Sequence, residues 1–266
     1  MANNRFSRQS FLGAKAQDII DSAVIGVSGL GGGGSQIVQQ LAHVGFLNYR
    51  LYDPDVVEDS NLNRLVGAVE IDIREQTPKI EVAKRVIKGL RPQANIEAYA
   101  QRWQENPERL RGCDLVFGCV DGFTERRELE ACARRYLIPL IDIGMDVHIL
   151  GDDPPRMGGQ VILSMPCGPC MLCLGFISEA ALAREGERYG DAGPRPQVVW
   201  PNGVLASTAV GIAIDLLTDW TRSLRDVIYL EYDGNTGGLK QHVRVQYLAE
   251  RRCIHYPLTH VGDPIH

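Results

Sequence analysis

The stretch Val24–Gly45, VIGVSGLGGGGSQIVQQLAHVG, decides the fold. Five of the six residues from Gly29 to Gly34 are glycine. Ahead of them, Ala23–Ser28 is a short, β-branched, apolar run of the kind that forms a buried parallel strand. Behind them, Ser35–Val44 carries Ile37, Val38, Leu41 and Val44 at helical spacing. A glycine linker does not sit between two such elements, whereas a nucleotide turn does. Gly29, Gly31 and Gly34 fit G-x-G-x-x-G, in which the missing side chains permit a tight turn and close backbone approach to a phosphate. The helix that follows offers free N–H groups and about half a positive charge to an anion. No Gly-Lys-Ser/Thr follows, which excludes a Walker loop. Asp53, closing the next strand about 20 residues on, suits the ribose hydroxyls of NAD, FAD or ATP equally, and is otherwise an ordinary strand-end acid.

The pattern outward from this unit alternates. A short helix ends over Ala16–Ser22, and Tyr49–Asp53 reads as a second strand. Ile80–Leu90 is an amphipathic helix, with Val82, Val86 and Leu90 on one face. Asn95–Ala100 and Asp114–Val120 read as strands three and four, a charged helix spans about Thr124–Tyr136, and Leu137–Ile143 is a fifth strand. The alternation predicts an α/β fold: a Rossmann-like, mostly parallel sheet with helices on both faces. Beyond Gly144 the style changes. Gly159–Ser164, Asp226–Tyr232 and Lys240–Tyr247 read as antiparallel strands, the last two joined by the turn DGNTGG. A buried helix is expected over about Gly203–Leu217, and Glu185–Trp200 reads as a long exposed crossing segment. One continuous sheet over 1–266 is expected, with an arm and helix (1–22), a nucleotide-binding half (23–145) and a second half (146–266).

Bulk composition narrows the function. A net charge of −5 supplies no global basic field for nucleic acid or anionic lipid. No apolar run reaches the roughly 18–20 residues of a membrane span, and Met1–Arg5 leads into polar sequence, so a cytoplasmic location is expected. Seven cysteines without a secretion signal argue against a disulfide framework. Three of them, Cys167, Cys170 and Cys173, fall within seven residues, which calls for a metal or redox explanation.

The nucleotide is decided downstream, by Asn61 and Arg64 in DPDVVEDSNLNRL and Lys79 in TPKIEVAKR. A dehydrogenase needs no extra cations converging on the far end of a triphosphate. Adenylation does, because charge builds on the departing pyrophosphate. Asp121, ending the fourth strand, is placed to hold Mg²⁺ with phosphate oxygens and water. Each residue alone also reads as a solvated surface charge; their shared placement after successive strands favours the functional reading.

These segments resemble the MoeB/ThiF/HesA family of ubiquitin-activating-type adenylyltransferases. RFSRQSFLG (Arg5–Gly13), GLGGGGS, DPDVVEDSNLNR, TPKIEVA, CVDGFTER, CMLCLGF and WPNGVLASTAVG resemble its motifs in strict order over nearly the whole chain. The resemblance implies that Gly29, Gly31 and Gly34 cradle ATP and Asp53 binds ribose. It implies that Asn61, Arg64 and Lys79 bind phosphates, Asp121 binds Mg²⁺, and Arg8 reaches the ATP of a partner subunit in a homodimer. The implied substrate is the C-terminal carboxylate of a ubiquitin-like or sulfur-carrier protein ending in Gly-Gly. The family also pairs a C-x-x-C before a helix with a second one near the C-terminus to hold zinc. CMLCLGF supplies Cys170 and Cys173, but the second pair is replaced by Cys253-Ile-His255. A Cys₃His zinc site from Cys170, Cys173, Cys253 and His255 is chemically sound, with Cys167 as a substitute ligand and loss of zinc as the alternative. Many relatives also carry a thioester cysteine in the crossing segment. EGERYGDAGPRPQVVWPNGVL contains none, so an enzyme stopping at the acyl-adenylate and passing it to a thiol on another protein, or to a sulfur donor, is expected. Cys119 is the nearest thiol by sequence and reads as a strand-end core residue. His43, His148, His242, His260 and His266 receive no role. Two rivals remain: an NAD-dependent oxidoreductase, and a catalytically inactive activating-enzyme scaffold.

Overall fold

The computed structural model describes residues 4–149, 151, 153–187, 196–223, 227–248 and 251–262. After a 3-10 segment, Asn4–Leu12, the elements run α1 (Ala16–Ser22), β1 (Val24–Ser28), α2 (Gly32–Val44), β2 (Asn48–Tyr52), α3 (Glu70–Arg74), α4 (Lys79–Leu90), β3 (Asn95–Tyr99) and β4 (Leu115–Gly118). There follow α5 (Phe123–Arg135), β5 (Leu140–His148), β6 (Arg156–Ser164), α6 (Glu179–Glu187), α7 (Val199–Thr218), β7 (Val227–Asp233), β8 (Gly238–Gln241) and α8 (Val245–Leu248).

One eight-stranded sheet results, in the order β3-β2-β1-β4-β5-β6-β7-β8. Pairings from β3 through β5 are parallel. Those from β5 through β8 are antiparallel. Alternate residues of each strand feed different cores. Phe117, Ile141, Val161 and Leu163 join the cluster beneath α2, α4 and α7, while Val116, Leu140 and Ile162 join the one with α5. The chain turns back between β1 and β4, and in open α/β sheets the crevice beyond the strand ends at such a switch point is where ligands bind.

Several expected boundaries move, each for a local reason. The helix expected from Ser35 begins at Gly32, inside the glycine run. The fifth strand starts at Leu140 and runs to His148, because Leu137 lies in the left-handed region at φ +58 and closes α5. The strand expected over Lys240–Tyr247 stops at Gln241, and Val245–Leu248 is helical. The crossing segment begins inside a helix that its composition did not announce, α6, and ends in α7; residues 188–195 of it lie outside the described set, as do Asp226 and His266.

The α7 helix also corrects the reading of membrane character. Its 20 residues are long and apolar enough, by length and composition alone, to cross a membrane. Here Leu205, Ala206, Ala209 and Ala213 are wholly buried in the core against the sheet. Stability of the sheet's flank comes partly from a fixed pair. Asp72, buried on α3, accepts from both guanidinium nitrogens of Arg85 at 2.9 and 2.6 Å and from the Val69 N–H at 2.8 Å.

Candidate functional site

The strand ends and the loops after them enclose a cleft of about 300 Å³. From the end of β1 come Ser28, Gly29 and Gly31–Gly33; from β2, Tyr52, Asp53 and Asp55; from β4, Cys119, Val120 and Asp121. Arg64, Lys79, Gln101, Arg102 and Trp103 complete one wall, and Glu125, Arg126, Ile143–Met145, Gln197 and Asn202 the other.

Glycine is required at two points of the turn for different reasons. Gly29 adopts φ +87, and a Cβ there would stand 2.4 Å from the Cys119 carbonyl oxygen. Gly34 does not line the cleft; a Cβ on it would stand 1.9 Å from the carbonyl oxygen of Gly29. It therefore seats α2 against the turn. Gly31, by contrast, faces open space, with nothing within 4 Å of an added Cβ. Together these place the first-turn N–H groups of α2, whose intrahelical partners are missing by geometry, at the cleft wall.

Asp53 is buried at the cleft floor. Its Oδ2 accepts from the Leu30 N–H at 2.6 Å and its Oδ1 from the Asp55 N–H at 2.9 Å. These bonds lock the β2 acid to the glycine turn. Burial pushes its carboxyl above the usual range, opposed by the nearby Lys79 charge and those two N–H donors. Lys79, the first residue of α4, reaches Asp55 with Nζ to Oδ2 at 2.8 Å. The Arg64 guanidinium donates to the Ser60 carbonyl and, at 3.1 Å, to Asn63 Oδ1. Asn61 is buried outside the cleft: its Oδ1 accepts from the Glu58 N–H at 3.1 Å, shaping the turn that presents Arg64. Asp121 receives Gln197 Nε2 at 3.3 Å, and Gln197's carbonyl accepts from Asn63 at 3.0 Å. Thus Gln197, at the described end of the crossing segment, is tied both to Asp121 and to the turn beside Arg64. Its other end is tied as well, since Glu185 of α6 accepts from the Phe123 and Thr124 N–H groups at 2.9 and 2.8 Å at the start of α5. Arg8 sits exposed in the N-terminal 3-10 segment, apart from the cleft lining.

Arg126, Asn202 and Glu125 are among the cleft residues that escaped the sequence reading. Arg126 is buried and pairs with the buried Asp142, donating also to the Ile143 carbonyl at 3.2 Å. Asn202 lies against Gly32 and donates to the Val198 carbonyl at 2.9 Å. Both lie inside family-like motifs, CVDGFTER and WPNGVL, which are the sequence signal for them. Glu125 is the third; burial pushes its carboxyl up, with Arg102 opposing. Cys119 lines the cleft, and desolvation pushes its thiol well above the usual range.

A second constellation lies away from the cleft. The ligand atoms of Cys170, Cys173, Cys253 and His255 all fall within 4.8 Å of one another. Cys170 and Cys173 Sγ are 3.7 Å apart and Cys173 and Cys253 Sγ 3.8 Å; His255 Nδ1 stands 3.4 and 3.3 Å from Cys170 and Cys173. A tetrahedral Zn²⁺ with bonds of about 2.3 Å to sulfur and about 2.05 Å to nitrogen has edges of roughly 3.8 and 3.6 Å. The donor set and spacing therefore fit zinc. Cys167, exposed, is not among the four.

Comparison with known proteins gives one consistent set. The ThiF family description matches residues 4–253. The SAMP-activating enzyme E1 of Haloferax volcanii is 32% identical over 176 residues, 64% of this chain and 61% of that protein's length. The molybdopterin-synthase adenylyltransferase of Salmonella typhimurium is 29% identical over 240 residues, covering 87% of this chain and 88% of that one. Among solved structures, Escherichia coli MccB crystallised with MccA-N7isoASN superposes with a TM-score of 0.72 at 19% identity, over 91% of this chain and 72% of that one, a likeness of fold.

Proposed function

This chain belongs to the ThiF family, and from that premise we propose that it is an adenylyltransferase acting on the C-terminal carboxylate of a ubiquitin-like or sulfur-carrier protein ending in Gly-Gly. The observation that carries the reading is convergence: Gly31–Gly33, Asp53, Arg64, Lys79 and Asp121, from five separate segments, border one cleft.

The proposed roles follow from placement. The α2 N-terminus and glycine turn receive the phosphates. Asp53, held by two backbone N–H groups, keeps lone pairs for the ribose hydroxyls. The incoming carboxylate attacks the α-phosphorus; a carboxylate-oxygen-to-phosphorus bond forms, the bond to the bridging oxygen breaks, and pyrophosphate leaves. The nucleophile is already ionised, so no protein base is needed. Arg64 and Lys79 carry the catalytic load by screening its approach and stabilising the charge on pyrophosphate. In the cleft as described both are engaged with protein oxygens, and Lys79 must exchange Asp55 for phosphate. Asp121 offers a hard carboxylate oxygen suited to Mg²⁺, which would neutralise phosphate charge. Cys170, Cys173, Cys253 and His255 would hold a structural Zn²⁺. A homodimer in which Arg8 enters the other subunit's cleft, a downstream protein thiol as acceptor, and a cytoplasmic location belong to the same proposal.

The deciding assay is ATP–pyrophosphate exchange with and without candidate small carrier proteins encoded beside the gene. Carrier-dependent exchange supports the reading. Exchange with no carrier, or hydride transfer from NADH with no exchange, overturns it; ATP binding without any exchange would point to the inactive scaffold.

A further inference from the structure

The inner face of α5 carries a buried charged stripe. Arg126, Glu130 and Arg134 follow at four-residue intervals and are 6%, 0% and 1% exposed. Arg126 serves the cleft. The other two face the cysteine loop.

Glu130 and Arg134 are joined at 3.6 Å, Oε1 to Nη2. Glu130 Oε1 also accepts from Ser164 Oγ at 2.5 Å and from the Met171 N–H at 3.0 Å. Met171 stands between Cys170 and Cys173. Arg134 uses both terminal nitrogens twice. Nη1 donates to the carbonyls of Pro166 and Gly168 at 2.9 and 3.0 Å; Nη2 donates to the carbonyl of Pro169 at 3.1 Å and to Ser164 Oγ at 2.8 Å. Three carbonyls of the loop entering Cys170, those of Pro166, Gly168 and Pro169, are thereby gathered on one planar cation. The same guanidinium lies 5.1 Å over the ring of Tyr256, beside His255 on the second ligand segment. Tyr256 in turn donates to the Arg127 carbonyl at 3.3 Å, so α5 touches both segments that supply ligands.

A buried Glu–Arg pair is costly to desolvate and adds little net stability against an apolar replacement. A loop running through Met165-Pro166-Cys167-Gly168-Pro169 has few backbone N–H groups with which to fold on itself, because two of its five residues are proline. Its carbonyls need a donor from elsewhere, and a fork-shaped guanidinium supplies four N–H groups in one plane. We propose that Glu130 and Arg134 are positioning residues for the Cys/His cluster. They hold the Cys170–Cys173 loop in ligand-binding shape before metal arrives. The proposal rests on reading that cluster as a metal centre. Neither residue touches the metal: Glu130 acts through the Met171 N–H, and Arg134 through the loop carbonyls and Tyr256.

The test uses the full chain loaded with Zn²⁺ or Co²⁺. Zinc release to a chromophoric chelator is timed for the wild type, Glu130→Gln, Arg134→Lys and Ser164→Ala, with Cys253→Ser as the ligand control. Lysine keeps the charge but cannot span four acceptors, so Arg134→Lys and Glu130→Gln should release zinc about 10- to 100-fold faster. Their cobalt ligand-field bands should broaden or shift. The metal-induced rise in Tm should shrink while the Tm of the metal-free protein moves less. A merely structural role would lower both Tm values together and leave release rate and cobalt spectrum alone; that result overturns the proposal. If Arg134→Lys does not fold, Ser164→Ala, which removes only the hydroxyl shared by the pair, decides: several-fold faster release supports positioning, and wild-type release refutes it. A wild-type protein that binds neither zinc nor cobalt overturns the metal-centre reading itself.

Discussion

Two alanine substitutions in the glycine turn separate its two jobs. At Gly34 a Cβ would stand 1.9 Å from the Gly29 carbonyl oxygen, more than 1 Å inside van der Waals contact with backbone. Neither neighbour is a flexible side chain, so α2 must shift or the turn must open. Overpacking of this kind costs about 1–3 kcal/mol, which for a chain of this size lowers Tm by roughly 2–5 °C. At Gly31 φ is −70 and ψ −148, and an added Cβ meets nothing within 4 Å. Gly31→Ala should therefore escape the Gly34 clash and lose less stability than Gly34→Ala. Its methyl group would instead stand where a phosphate must approach the turn. Loss of one charge-assisted backbone hydrogen bond is worth about 1.5–3 kcal/mol, or roughly 10- to 150-fold in affinity. Thermal unfolding combined with calorimetric titration of ATP reads both quantities. A Gly31→Ala protein that binds ATP as tightly as the wild type would refute the placement of phosphate at this turn. A Gly34→Ala protein with unchanged Tm would refute the packing argument.

The other expectations are simpler. Arg64→Ala and Lys79→Ala should each cut carrier-dependent pyrophosphate exchange about 10²- to 10³-fold with little change in Tm, since Asp55, left behind by Lys79, is largely exposed; exchange rates near wild type would remove these residues from the catalytic step. Elemental analysis should find about one zinc per chain in the native protein and less in Cys253→Ser, and below about half a zinc in the native protein would sink the assignment. The Arg85 hydrogen bonds hold the Asp72 carboxyl down to about 2 against an ordinary 3.8, so the pair's stabilisation is full above the ordinary value and is lost as pH falls through about 2. Asp72→Asn should accordingly lose about 1–3 kcal/mol at neutral pH and flatten the acid limb of Tm against pH; an unchanged limb would show that the pair contributes nothing. Cys119→Ala should still form carrier adenylate, because the desolvated thiol is a poor source of the thiolate nucleophile; a carrier adduct that is thiol-sensitive on gels and vanishes in this variant would reverse that view.

How much of this was legible in the sequence depends on the distance over which each feature is built. The parallel half announces itself because β1 and β4 are compact apolar runs and α2 and α4 repeat an apolar face over three turns. The α3, α6 and α8 helices are too short for period to speak, and β8 is four residues followed directly by a turn. Within the cleft, Asp53 and Asp121 were legible because strand ends in a doubly wound sheet all point to one edge, whatever the loops do. Arg64 and Lys79 were legible as charges after strands, but their current partners, the Ser60 carbonyl and Asp55, were not. Asn61 shows the limit: the sequence marked it for phosphate, whereas here its carboxamide holds the turn beside Arg64. What stayed hidden is contact between distant segments. Arg126 meets Asp142 across two elements, and Glu185 meets the start of α5 from 61–62 residues away. The Cys/His cluster, which joins residues 80 to 85 positions apart, is the exception: spacing marked Cys170 and Cys173, and the family resemblance brought Cys253 and His255 to them. The buried Glu130–Arg134 stripe is the clearest hidden case. In sequence it is two charges on a charged helix, the pattern of a solvated face. Only the fold turns that face inward, and the proline-rich loop then explains why charge is tolerated there: the carbonyls of Pro166, Gly168 and Pro169 accept from the Arg134 guanidinium.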